Sequence, residues 1–234
     1  MAKKIFSLEN IGEFAIYKRK GTKKVSIKIL GNKIKVSQPP WLPYATGVAF
    51  VKQNSAWINQ QQQGFTSEVI TNGQSIGKNH TINYVIDNKI RTLVKNNQID
   101  IHYTNNISPS SEQIQIKTKQ AIKRALIIEA KQYIPSRLEL ISDNFDYEYK
   151  GLVIKPLKTR WGSCSSAGII TINCYLMMLP WEIIDYVLLH ELTHTKFLHH
   201  GKDFWDAMDM YMPDNKARRK LLKQLQASVT KIQG

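Results

Sequence analysis

The segment from Leu179 to His194, LPWEIIDYVLLHELTH, constrains this chain more than any other stretch. Pro180 stands where a first helical turn tolerates it, Glu182 and Asp185 come early, and apolar residues recur densely, so the segment predicts a helix. Ile184, Leu188 and Leu192 follow one another at four-residue spacing and form an apolar row that must be buried. His190 and His194 are also four residues apart. That advance turns a helix by about 400°, which stacks the two imidazoles one turn apart on one face, within reach of a single ion. Glu191 lies beside them. From there its carboxylate can reach a water next to such an ion without ligating it, the arrangement a general base needs.

A catalytic zinc site takes three protein ligands and leaves a fourth position for water. His199 and His200 both follow the helix, and Gly201 lets the chain turn there, so both are candidates for the third ligand. With six His and nine Glu in the chain, HExxH would arise by chance on the order of one time in a hundred. On an apolar helix with a downstream His pair, a metal centre is the favoured reading.

Composition bounds the rest. The 234 residues allow one large domain or two small ones, and 42% hydrophobic residues suffice for a core. No stretch has the length or hydropathy to cross a bilayer, and the first twenty residues lack the apolar run of a secretory signal. Cys164 and Cys174 are the two cysteines. So few thiols exclude a disulfide framework and suit a reducing compartment, so the expectation is a cytoplasmic protein with no membrane partner. The balance is strongly basic, 33 Lys and Arg against 18 Asp and Glu, and residues 1 to 40 hold ten of those cations but only Glu9 and Glu13 as acids. Such a surface attracts polyanions without sequence preference, which makes nonspecific nucleic-acid binding one expectation and plain solubility the other.

Alternation at Val25, Ile27 and Ile29, a Gly31-Asn32 turn, then Ile34 and Val36 predict a hairpin. Helical spacing follows from Tyr44 to Gln63, with Gly64 as its stop. Ile82, Tyr84 and Ile86, then Ile99, Ile101 and Tyr103 after Asn96-Asn97, predict further antiparallel strands. The Asn/Ser-rich stretch from Asn105 to Ser111 is the expected domain boundary, and Ser110 with Gln113 has capping-box spacing for a long helix that Pro135 should kink or end at Ile134. Residues 152 to 173 return to strand character, and helices close the chain. No internal repeat is visible in the sequence. Cys164 reads by default as a small buried thiol, Met208, Met210 and Met212 as core packing, and Trp161 to Cys164 as a structural strand rather than a peptide-pairing edge.

The motifs Arg160-Trp-Gly-Ser-Cys164-Ser-Ser, Asn173, Tyr186-Val-Leu-Leu-His-Glu-Leu-Thr-His194 and His200-Gly-Lys-Asp-Phe204-Trp205 together resemble the YgjP-like metallopeptidases, zincin-like proteins related to the SprT-like and WLM peptidases. The resemblance spans nearly the whole chain. It implies a zinc site of His190, His194 and His200, with Glu191 as catalytic base and a protein or peptide as substrate. Metzincins share the spacing of the last two histidines but carry Gly where this chain has Phe197. The family often has Asn where His199 stands, and Asn-Trp-Arg where this chain reads Asn173-Cys174-Tyr175. Taken together, the expectation is an α+β fold. Residues 1 to 108 would form a basic region of small antiparallel sheet plus helix, and residues 109 to 234 a zincin-like minimal catalytic domain whose HExxH helix packs on a short sheet. The expected activity is zinc-dependent peptide hydrolysis. The sequence assigns no side chain to oxyanion assistance, Tyr186, Tyr211 and Arg160 all being ambiguous. The competing readings are a nucleic-acid-associated protein on a zincin scaffold, and hydrolysis of non-peptide amides at the same residues.

Overall fold

The structure, a computed structural model, describes residues 3–30, 33–64 and 69–233. They fall into two compact units, one up to residue 68 and one from Val69 to Gln233. In the first, β1 (Lys3–Leu8), β2 (Gly12–Lys18), β3 (Ser26–Leu30) and β4 (Lys33–Gln38) form a sheet of order β1-β2-β4-β3. The hairpin expected around Gly31-Asn32 is present in register, Ile27 opposite Val36 and Ile29 opposite Ile34, while the turn itself lies outside the described residues. The preceding hairpin β1–β2 was not read from the sequence, although Phe14 and Ile16 alternate there and both are buried. Phe14, Ile16, Ile34 and Val36 share one face and form a core with Val51 and Ile58.

Those last two come from α1 (Tyr44–Gln53) and α2 (Ser55–Gly64), two helices where one was expected. Asn54 makes the break. Its side-chain amide donates to the Phe50 carbonyl at 2.8 Å, ending one helix, and its own carbonyl accepts from Ile58 N at 2.9 Å, starting the next.

The second unit opens with β5 (Ser75–Ile76), β6 (His80–Ile86), β7 (Arg91–Lys95) and β8 (Gln98–Tyr103), in the order β5-β6-β8-β7. In both sheets two antiparallel hairpins are joined through a parallel central pair, β2 with β4 and β6 with β8. The sequence shows no repeat, but the topology is repeated. Asn96 and Asn97 both adopt positive φ, 50° and 60°, as the tight β7–β8 turn requires.

Ile82, Ile99 and Ile101 pack with Ile114, Ala121, Ile122, Ala125 and Leu126 of α3 (Glu112–Asn144). The boundary expected at 108/109 therefore lies inside this unit, because the sheet before it and the helix after it share one core. The polar stretch that suggested a linker is the loop that caps α3. The cap is Ser111, which accepts from Ile114 N, while Ser110 pairs with Ser108. Nor does Pro135 end the helix. It lies on the solvent side, where the Lys131 carbonyl it leaves free can meet water, and buried Ile134, Leu138 and Ile141 hold the helix through it.

Beyond α3, β9 (Gly151–Lys155), β10 (Gly162–Cys164) and β11 (Ile169–Asn173) form a three-stranded sheet of order β10-β11-β9. A short 3-10 turn, Cys174–Met178, leads to α4 (Trp181–Lys196), followed by α5 (Lys202–Tyr211) and α6 (Asn215–Gln233). Ile184, Leu188 and Leu192 are fully buried. At about 1.5–3 kcal/mol for each such side chain, that row anchors α4 in the core. Arg137 fixes its rotation, gripping Asp185 from α3 with two parallel hydrogen bonds of 2.6 and 2.5 Å. Arg218 ties α6 to the start of α4 by donating to the Glu182 carbonyl at 2.8 Å. No helix among the described residues is long and apolar enough to cross a membrane.

Candidate metal centre and catalytic cleft

The HExxH motif lies on α4 as expected, and the chain turns back after Phe197 to bring His200 over it. One ring nitrogen from each of His190, His194 and His200 lies within 4.8 Å of the others. His199 is exposed and does not join them. The His194 Nδ1 is 3.0 Å from the Phe197 carbonyl. A carbonyl only accepts, so Nδ1 carries the proton and Nε2 keeps its lone pair for a cation. The Nε2 atoms of His190 and His200 face each other at 3.0 Å. Burial first, then the neighbouring imidazoles and Arg219, push the His190 pKa down to about 3, which makes it the neutral imidazole that ligates metals. Three converging imidazole nitrogens fit a zinc-like ion.

Phe204 and Trp205 of α5 back the third histidine. The Trp205 indole N–H donates to the His200 carbonyl at 3.2 Å, and its ring stacks on the imidazole at 5.7 Å and 25°. Phe204 is fully buried and touches all three imidazoles, with ring centroids 4.7–4.9 Å apart. Of the Met cluster, Met208 is core, its sulfur 3.4 Å from the Thr193 hydroxyl, and Met210 is 76% exposed.

Glu191 is only 5% exposed, and burial raises its carboxyl to about pKa 8 against the opposing pull of Arg160. It lines a cleft of about 600 Å³ together with His190, His200, Trp161, Gly162 and residues of α6. The cleft wall owes its shape to a glycine. A Cβ at Gly162 would stand 2.6 Å from both Cγ and Oε1 of Glu191, closer than real contacts allow. Strand β10 pairs only with β11 among the described residues, so it is an edge strand at the cleft rather than an interior one. Asn173, quoted from the sequence without a role, holds the segment leading to it. Its amide donates to the Leu157 and Arg160 carbonyls at 2.9 and 3.0 Å, its oxygen accepts from Leu157 N at 3.2 Å, and its backbone N–H donates to the Trp161 carbonyl at 2.8 Å.

Tyr186 and Arg160 line the cleft, whereas Tyr211 packs on Phe145 and Tyr147 instead. Cys164 and Cys174 are free thiols. Sequence reasoning quoted Gly162 in a motif without giving it a role, and missed Arg219 and Lys223 because α6 comes to the cleft only through the fold.

The model of the YgjP-like family, described as a metallopeptidase domain, matches residues 23–225. The chain belongs to the YgjP-like metallopeptidase family. As such it is a peptide hydrolase, and the family implies a catalytic metal. Two solved structures are similar to part of it. The metallopeptidase zymogen of Pyrococcus abyssi abylysin is 28% identical over 39% of this chain and 93% of its own, with a TM-score of 0.36. That of Methanocaldococcus jannaschii jannalysin is 28% identical over 40% of this chain and 94% of its own, with a TM-score of 0.35. No curated protein matches significantly.

Proposed function

We propose that this YgjP-like protein hydrolyses peptide bonds with His190, His194 and His200 holding a zinc ion and Glu191 moving the proton. The observation that carries the reading is that three imidazoles converge and the Glu191 carboxylate lines the same cleft. Zinc bound there would supply Lewis acidity, lowering the pKa of a water toward neutrality, polarising the scissile carbonyl and favouring the ionised form of Glu191. Glu191 takes the proton from the attacking water and delivers it to the leaving amine nitrogen. Burial of its carboxylate keeps bulk water from competing for that proton. The free edge of β10 offers an extended peptide main-chain hydrogen bonds beside the imidazoles. Glu191→Gln tests the reading: it should hold as much zinc as the wild type and lose peptide hydrolysis by at least about a hundredfold. Full activity at equal zinc content would remove Glu191 from the mechanism. The two free thiols support placing the protein in the cytoplasm.

A second reading rests on the first unit. Lys28 and Lys35 stand opposite each other on β3 and β4, on the face away from the buried isoleucines. A basic sheet face of this kind suits a phosphate backbone. Nucleic-acid binding of that origin should collapse with added salt and survive Glu191→Gln.

A further inference from the structure

The cleft is charged in a way that hydrolysis alone does not require. Arg160, Arg219 and Lys223 all line it, and Glu191 is the one acidic residue among its lining. None of the three cations forms an ion pair among the described residues, although α6 pairs its neighbour Arg218 with Asp214 at 2.8 Å. Arg219 and Lys223 are one turn apart on α6, so both project from one face, together with Leu222 and Gln226. Lys216 and Lys220 are also exposed on α6 and do not line the cleft. Arg219 is held in place: its guanidinium lies 4.8 Å from the centre of the Trp205 ring, which itself stacks on His200. A fixed cation thus stands one ring away from the third imidazole, with a second cation a turn beyond it.

Unpaired charges on the wall of a concave site select ligands of opposite sign and repel those of like sign. We propose that the cleft selects peptides with acidic side chains flanking the scissile bond, and that Arg219 and Lys223 are its specificity-determining residues. The proposal rests on the peptidase reading above and adds the substrate class. A lysine-flanked peptide would place its ammonium group against these cations and be disfavoured at the same site.

Two peptides of one sequence, differing only in Glu or Lys on either side of the central bond and carrying the same neutral dye, test it by anisotropy on zinc-loaded Glu191→Gln. Hydrolysis of both by the zinc-loaded wild type is followed in parallel. The Glu peptide should bind more tightly, and the preference should shrink about tenfold in Arg219→Gln/Lys223→Gln, as expected for two exposed charge pairs. Lys216→Gln/Lys220→Gln removes the same net charge elsewhere on α6 and should leave the preference intact. Lys223→Glu, a single exposed change, should move it in the same direction as the first pair. Equal binding of the two peptides, or an equal loss in both double variants, overturns the proposal. Cleavage of both peptides with no preference would overturn it while leaving the peptidase reading standing, whereas absence of cleavage with charge-selective binding would sink the peptidase reading alone.

Discussion

Gly162 on β10 and Glu191 on α4 occupy one space: the carboxylate side chain fills the volume that any Cβ at position 162 would take. The Glu191 carboxylate is therefore held from the strand side by the absence of a side chain at position 162. Gly162→Ala must push Glu191 aside, and displacement of a reacting group by about 1 Å costs on the order of a hundredfold in rate. Its kcat/KM should fall by about that factor while its zinc content stays at the wild-type level. Unchanged kcat/KM would show that Glu191 tolerates the displacement and that the contact has no functional weight.

Trp205 positions His200 through one hydrogen bond and one stacking contact. Trp205→Phe keeps an aromatic ring and removes the N–H, so the loop carrying His200 loses its tie. Loss of such a supporting contact weakens metal binding by about 10- to 100-fold. Competition with a chelator should show a zinc dissociation constant raised by at least the lower figure. An unaltered constant would mean the stack alone holds His200.

The sequence made one half of this centre plain and hid the other. His190, Glu191 and His194 are legible because helical geometry fixes their relation locally, with no knowledge of the fold. The third position stayed open between His199 and His200 on spacing alone, because it depends on how the chain turns after Phe197. Arg219 lies 28 residues from Glu191 and nothing local marks it, while Gly162 stands in the Arg160–Cys164 motif but meets Glu191, 29 residues on, only through the fold. The same limit applies to the fold. The Val25–Val36 hairpin was readable from alternation, but the parallel pairing of β2 with β4 is nonlocal. The domain boundary was displaced because a run of Asn and Ser looks the same whether it links units or caps a helix.

Burial, with Glu191 adding to it, holds the Cys164 thiol above the ordinary thiol range, and burial pushes Cys174 up to about 11. A raised pKa leaves little thiolate at neutral pH, and the thiolate is the reactive form. A disulfide reagent should modify half-exposed Cys164 slowly at pH 7, faster as pH climbs through the thiol range, and leave Cys174 untouched until the protein unfolds. Rapid modification of Cys164 at pH 7, measured on Cys174→Ala, would indicate an activated thiol instead.

Glu129 of α3 is 1% exposed and accepts from the backbone N–H groups of Lys78, Asn79 and His80 at 2.8, 2.9 and 3.3 Å, with His80 Nδ1 at 2.6 Å. Gly77, at φ +65°, leaves room for the carboxylate in the β5–β6 turn. Glu129→Ala leaves these donors without their acceptor, buried His80 among them, and should cost about 3 kcal/mol in urea unfolding, as for breaking a buried pair. A loss below about 1 kcal/mol would mean that water replaces the carboxylate.

If His190, His194 and His200 form one metal centre, the metal content of the purified protein depends on all three. Protein purified without added metal should carry about one zinc per chain, and His194→Ala and His200→Ala should each lose most of it while keeping the wild-type circular dichroism. A wild-type protein that binds zinc only weakly, or a His200→Ala variant that keeps its zinc, would contradict the assignment.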